Sequence, residues 1–452
     1  MRKLFLFLLP ALLCLSACSD GTPEEEAYVT VSLDLNNAVL GSDTVSIPED
    51  FVGIIHSGYS NDPDSEYALL NELGVEWVHQ DFSWSSIEKA DNQWTFGSFD
   101  AYVTRANAEG KKVLGMLLYD VGWIHTGKGE PDKYVSEDEI PLFCDYARET
   151  VKRYNGKNGH GKVDAWAIWN EPNLEDRFWK GTKAEFYALT KATAETIRAL
   201  DAIEDTHTFL VGGLFNTLAT PEWIDGIFTS GAMEKIDAIA YHPYTPNAFG
   251  AAGVYHGFKN QVAAHGFADK IWVNEIGYPT QGSYGTEVKE SDMPEMVTKT
   301  MALLAADGAK TIFWYHLFDS QNRNPIDSED WFGLVWKNGS DWQKKGGYDA
   351  FALCAHQFRG KESRTISFPG SNLPGFIKTC YFEGNDNSRI LLVWNESVIS
   401  TRNVKITLPG IDHKVWNLAN GSSQDVGATN TVTLYPTDRS KQTVVFLTWQ
   451  QP

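Results

Sequence analysis

From Phe51 to about Gln357, short apolar runs alternate with helix-length amphipathic stretches, the pattern of successive βα units around a parallel sheet. Eight runs read as strands: Phe51–Ile55, Glu76–Phe82, Lys112–Leu118, Asp164–Trp169, Phe209–Leu214, Ala238–Tyr241, Lys270–Asn274 and Lys310–Tyr315. Between them Ser65–Leu73, Phe99–Glu109, Ile140–Tyr154, Lys183–Leu200 and Pro294–Ala306 carry helical spacing. In the last, Met296, Val297, Thr300, Met301, Leu303 and Leu304 recur every three or four residues, which predicts one buried face. A doubly wound sheet alternates in the same way. The count of eight, with polar residues just beyond the strands' C-terminal ends, points instead to a closed (β/α)8 TIM barrel, whose chemistry sits at that end.

After Phe358 the texture changes to short runs separated by turn residues: Thr365–Phe368, Phe376–Phe382, Arg389–Trp394, Asn403–Leu408, Lys414–Trp416, Thr431–Tyr435 and Thr443–Trp449. That predicts an antiparallel β-sandwich. Tyr28–Leu35 alternates likewise and is expected to join it. The expected organisation is α/β: a signal peptide (1–17), a tether (18–27), N-terminal strands completing the sandwich (28–50), the barrel (51–358) and the sandwich (359–452).

The leader has Arg2 and Lys3, an apolar run from Leu4 to Leu15, and small residues ahead of Cys18. It reads as a secretory signal, too short to span a bilayer. Leu15-Ser16-Ala17-Cys18 resembles the bacterial lipobox, which implies lipidation of Cys18 and a lipoprotein at the outer membrane or cell surface, with the periplasmic face as the alternative. The anchor is then the expected membrane contact. The remaining cysteines, Cys144, Cys354 and Cys380, allow at most one disulfide and show no zinc-ligand spacing. A net charge of −21 makes nucleic acid a poor partner. The 16 tryptophans suit both a packed core and a sugar cleft, because a pyranose presents C–H faces to flat rings.

Trp169-Asn170-Glu171-Pro172-Asn173 follows the fourth predicted strand directly. Proline cannot continue a central strand, so the chain turns there and leaves Glu171 at the barrel's mouth. Trp272-Val273-Asn274-Glu275-Ile276-Gly277 ends the seventh strand. In a closed barrel these ends converge, and two carboxylates about 5–5.5 Å apart are what retaining hydrolysis of a glycosidic bond requires.

These residues resemble those of glycoside hydrolase clan A, most closely family 39, with family 5 second. Supporting motifs in the same order are Gly74-Val75-Glu76-Trp77-Val78, Asp81-Phe82-Ser83-Trp84 with Glu88 beyond, Tyr119 with Trp123, His242-Pro243-Tyr244, and Trp314 on the eighth strand. The resemblance implies a retaining hydrolase of β-linked glycans working by double displacement, with no cofactor and no metal. Glu171 would be the general acid/base and Glu275 the nucleophile. Asn170 would bind the sugar 2-hydroxyl, Tyr244 would hold the nucleophile, His242 would stand near the acid/base, and Trp314 would floor the subsite of the reacting sugar. Glu171 is expected to carry a raised pKa. One departure stands out: clan members carry an arginine near the end of strand two that supports the nucleophile, and His79 occupies the matching position.

Several assignments have two readings. Trp84, Trp123 and Trp179 are sugar platforms or packing; Asp319 and Asp330 line a subsite or sit in a solvated loop; the sandwich is a stability module or a carbohydrate-binding one. Endo-action on polysaccharide is the leading expectation, with exo-action of a β-xylosidase-like kind as the alternative. A non-catalytic glycan-binding protein and a transglycosylase are the other readings. A carbohydrate substrate and a monomeric state are expected.

Overall fold

The computed structural model describes residues 28–55, 63–128, 132–397, 402–435 and 443–451. The signal peptide, Cys18 and the tether lie outside the described residues.

Two N-terminal strands, β1 (Tyr28–Ser32) and β2 (Val39–Ser46), precede the barrel. Its strands are β3 (Val52–Ile55), β4 (Trp77–Ser83), β5 (Lys112–Leu118), β6 (Ala165–Ile168), β7 (Phe209–Asn216), β8 (Ala238–His242), β9 (Ile271–Ile276) and β10 (Thr311–Tyr315). They close in the order β10-β3-β4-β5-β6-β7-β8-β9, each pair parallel. The TIM barrel is therefore complete. Its interior pairs large with small: Trp77, Trp272 and Phe313 from β4, β9 and β10 pack in one cluster with Ala165, Ala167, Ala238 and Ala240 from β6 and β8. Such interlocking fills the barrel as a core and leaves space for chemistry only above it.

The helices pack outside. Lys183–Glu204 is begun by a capping box, in which the Thr182 side chain accepts from the Glu185 amide and Glu185 accepts from the Thr182 amide. Helices Pro221–Thr229, Ala248–Ala263 and Gly347–Phe358 complete the outer layer, together with those expected from the periodicity. After β10 comes a hairpin of β11 (Val335–Asn338) and β12 (Asp341–Lys344).

The sandwich is formed by β13 (Glu362–Ser367), β14 (Ile377–Glu383), β15 (Ser388–Asn395), β16 (Asn403–Pro409), β17 (His413–Trp416), β18 (Ser423–Val426), β19 (Thr429–Leu434) and β20 (Val444–Gln450). One sheet has seven strands, in the order β18-β17-β20-β15-β14-β13-β2; the other has three, β1-β16-β19. The N-terminal segment thus contributes a strand to each. The central strands of the large sheet, β14, β15 and β20, are buried on both faces. Along β15, Ile390, Leu392 and Trp394 join the barrel's core, whereas Leu391 and Val393 join the core between the sheets. This is why that run is continuously apolar instead of alternating. Cys144, Cys354 and Cys380 are free and buried. No helix among the described residues is long and apolar enough to cross a membrane.

Candidate active site

A cavity of about 740 Å³ opens at the C-terminal end of the barrel, lined by Asp81, Tyr119, Asn170, Glu171, Tyr244, Glu275 and Glu329 among others. The chain enters it after β6 through a local contortion. Trp169 and Glu171 have φ of 66° and 41°, on either side of Asn170. Left-handed backbone at non-glycine residues costs about 1–3 kcal/mol each and persists only where surroundings enforce it. Here the Glu171 amide donates to the Leu214 carbonyl of β7 at 3.0 Å, and the Trp169 amide to Leu117 of β5 at 3.1 Å. Glu171 is thereby held inward, only 6% exposed. On the far wall Glu275 is the penultimate residue of β9, two residues before Gly277. A Cβ at Gly277 would lie 1.9 Å from the Tyr315 carbonyl oxygen, so glycine is what lets β9 and β10 close up behind the carboxylate.

Glu171, His242 and Glu275 form one cluster, with a donor or acceptor atom of each within 4.8 Å of the others. His242 is fully buried; its Nδ1 is 2.8 Å from Glu171 Oε1 and 3.8 Å from Glu275 Oε2. Asn216, at the end of β7, donates to the same Glu171 oxygen at 2.8 Å. Tyr244 donates its hydroxyl to Glu275 Oε1 at 2.9 Å. Among the described residues this is also the cluster whose spacing would suit a metal ion, but two of its donor atoms are already joined by the 2.8 Å contact between His242 and Glu171.

Electrostatically the two carboxylates differ, in the sense opposite to the expected one. Burial, the largest influence on Glu275, together with the charges of Glu171 and Glu329, pushes its pKa up to about 7 against the lowering by His242 and Tyr244. Burial also raises Glu171, but the hydrogen bond and charge of His242, with the Asn216 hydrogen bond, outweigh it and leave that carboxyl below its ordinary value. His242 is raised: burial opposes its charge, and the two glutamates more than compensate. The three groups titrate as a unit.

The other expected residues divide. Asn170 lines the cavity, as does Tyr119, which it influences. His79 also lines it, with Nε2 4.0 Å from Asp81. The groups acting most strongly on Glu275 are His242, Glu171, Tyr244 and Glu329, so support of that carboxylate falls to His242 and Tyr244.

The tryptophans are corrections. Trp314 is 0% exposed and packs outward against Tyr278 and Phe351, because side chains alternate along β10; Phe313 and Tyr315 face inward. Trp84 is equally buried, stacked on Tyr146 and donating to Glu88 at 2.6 Å. Trp123 packs edge-on against Trp84 and donates to the Glu88 carbonyl at 3.2 Å, and Trp179 is core. The rings reaching the cavity are Tyr119, Phe178, Tyr244, Tyr284, Tyr315 and Phe332. Asp319 lies in a buried ion pair with Lys345 at 2.8 Å, and Asp330 accepts from the Asn324 amide at 2.7 Å; neither lines the cavity.

Their neighbour Glu329 does. It accepts from Tyr284 at 2.8 Å and from Tyr315 at 2.9 Å, and Arg177 approaches it to 3.8 Å from the loop after β6. Strands β6 and β10 stand opposite each other in the ring, so Arg177 and Glu329 tie the rim across the mouth.

Residues 129–269 match the family described as Glycosyl hydrolases family 39, a stretch that holds Asn170, Glu171, Asn216, His242 and Tyr244 and stops short of Glu275. By sequence and by fold the chain is family-39-like. A β-xylosidase of Caldicellulosiruptor saccharolyticus is 28% identical over 296 residues, which are 60% of this chain and 57% of that protein. A family 39 glycoside hydrolase from the gut symbiont Bacteroides cellulosilyticus WH2 superposes with a TM-score of 0.70 at 18% identity, covering 89% of this chain and 81% of that one. A monomeric β-xylosidase from Caulobacter crescentus CB15 gives a TM-score of 0.64 at 14% identity, covering 94% and 99%. The family-39-like chain thus combines a closed (β/α)8 barrel with a β-sandwich.

Proposed function

We propose that the protein is a retaining glycoside hydrolase that removes neutral, β-linked sugars from the ends of glycans. The observation that carries this is the approach of Glu171 and Glu275 to within 4.8 Å, oxygen to oxygen, over one cavity. That spacing matches the roughly 5 Å of a double displacement and is too small for the intervening water of an inverting site. Glu275 attacks the anomeric carbon while Glu171 protonates the departing oxygen. Water, deprotonated by Glu171, then releases the sugar.

Asn216 and His242 both contact Glu171 at Oε1, which leaves Oε2 to carry the proton toward the leaving group. Asn170 binds the 2-hydroxyl, a hydrogen bond that strengthens as the ring flattens. Exo-action is supported by the tie between Arg177 and Glu329, which crosses the path a continuous polysaccharide would take. A neutral sugar is supported by the lining: Asp81, Glu171, Glu275 and Glu329 already crowd the cavity with carboxylates. The leader supports a lipoprotein anchored through Cys18 at the outer membrane or cell surface, and a monomer is proposed with it.

Incubation with an activated 2-fluoro glycoside tests the reading. The expected result is a covalent mass increase on Glu275, and loss of about 10²–10⁴-fold in turnover of natural glycosides for Glu171→Gln. A first-formed product of inverted anomeric configuration, or glycan binding with no adduct across a broad panel, would overturn it.

A further inference from the structure

We propose that Asp81 sets which sugar the reacting subsite accepts, by taking a hydrogen bond from the ring hydroxyl beside the one bound by Asn170. This rests on the glycosidase reading above.

Along β4, Trp77 belongs to the barrel's interior cluster, so strand alternation sends His79 and Asp81 inward as well, with Asp81 nearest the mouth. Its side chain is 57% exposed, open to the cavity it lines. The other three carboxylates there are already engaged: Glu171 by His242 and Asn216, Glu275 by Tyr244, Glu329 by two phenols. Among the described residues the Asp81 side chain accepts no hydrogen bond, and its ion contact is His79 at 4.0 Å. A carboxylate so placed gains from any donor that arrives, and sugar hydroxyls are donors.

Its neighbours fix which hydroxyl. Of the charges acting on Tyr119, Asp81 is the strongest, ahead of Glu275 and Glu171, and Asp81, Tyr119 and Asn170 line the same cavity. Asp81 therefore adjoins the corner formed by Tyr119 and Asn170. With Asn170 on the 2-hydroxyl, the next group along the ring is the 3-hydroxyl. The substrate class is then neutral β-glycosides whose 3-hydroxyl is free, since an acyl or glycosyl group there removes the donor and occupies its space.

The test compares kcat/KM for whichever of the 4-nitrophenyl β-D-xyloside, glucoside and galactoside is cleaved fastest with that for its 3-deoxy analogue. The wild type should lose about 100-fold on deoxygenation, the scale of a hydrogen bond to a charged group. Asp81→Ala should lose a similar factor on the parent glycoside and discriminate the two substrates by less than about 3-fold, the signature of a coupled pair. Asp81→Asn, of the same shape and with an acceptor oxygen, should fall between, and it keeps the measurement alive if the alanine variant fails to fold. A deoxygenation penalty unchanged in both variants would overturn the assignment of Asp81 alone. Cleavage of none of the three glycosides would overturn the glycosidase reading with it.

Discussion

Attack by Glu275 needs that carboxylate ionised, and departure of the leaving group needs one proton held by the pair Glu171 and His242. With His242 charged, Glu171 stays ionised at the other end of a 2.8 Å contact; with His242 neutral, burial becomes the governing influence on Glu171 and favours its acid form. Activity should therefore rise with pH as Glu275 ionises, near 7, and fall again as the pair loses its proton. The hydrogen bond from Tyr244 favours ionised Glu275, so its removal raises that pKa. Tyr244→Phe is expected to move the acid limb of kcat/KM upward by about one pH unit and to leave the alkaline limb in place. A pH profile on an aryl glycoside checks it, and an unmoved acid limb would detach that limb from Glu275.

At the scale of elements, β10 decides between two adjacent aromatics. The run Thr-Ile-Phe-Trp-Tyr is apolar on both sides, because barrel strands are covered by helices outside and packed side chains inside. Hydropathy alone therefore does not show which residues face the cavity: the family resemblance points to Trp314, and the inward position is Tyr315. Trp314→Ala should lower stability by about 3–5 kcal/mol in denaturant titration and leave kcat/KM per folded molecule near wild type. Tyr315→Phe should do the reverse, since it keeps the ring and removes a donor to Glu329 at 2.9 Å, and reduce kcat/KM by about 10-fold. The same covering made the barrel legible: eight apolar runs with helices between them predict eight strands, and observed boundaries differ by at most two residues. Glu171 and Glu275 were legible because each closes a strand with its neighbours in a recognisable order. Asn216 carried a weaker signal, a polar side chain beyond the predicted end of the fifth strand. Arg177 and Glu329 carried none, because they meet only when opposite loops come together over the mouth.

For the whole molecule, the seven-stranded sheet is wedged between two cores and belongs to both. Phe358, at the end of the last outer helix, is 0% exposed and stacks on Phe382 of β14 at 4.5 Å, with Phe446 of β20 at 5.8 Å. Nearby, the Lys299 ammonium of the preceding helix reaches Glu396, just after β15, at 3.5 Å. The N-terminal strands β1 and β2 add a second tie, because each pairs with a strand that follows the barrel in sequence. Apolar area shared in this way is lost to both units if either unfolds, which couples their transitions. Calorimetry should accordingly show one transition for barrel and sandwich together. Phe358→Ala leaves a cavity at the shared face and should cost about 3–5 kcal/mol, moving that single transition to lower temperature. The helix ends at the opposite side of the barrel from Glu171 and Glu275, so kcat of the folded variant should be unchanged. Two separate transitions in the wild type, with the variant affecting one of them, would make the sandwich an independent domain and remove the case for a common core.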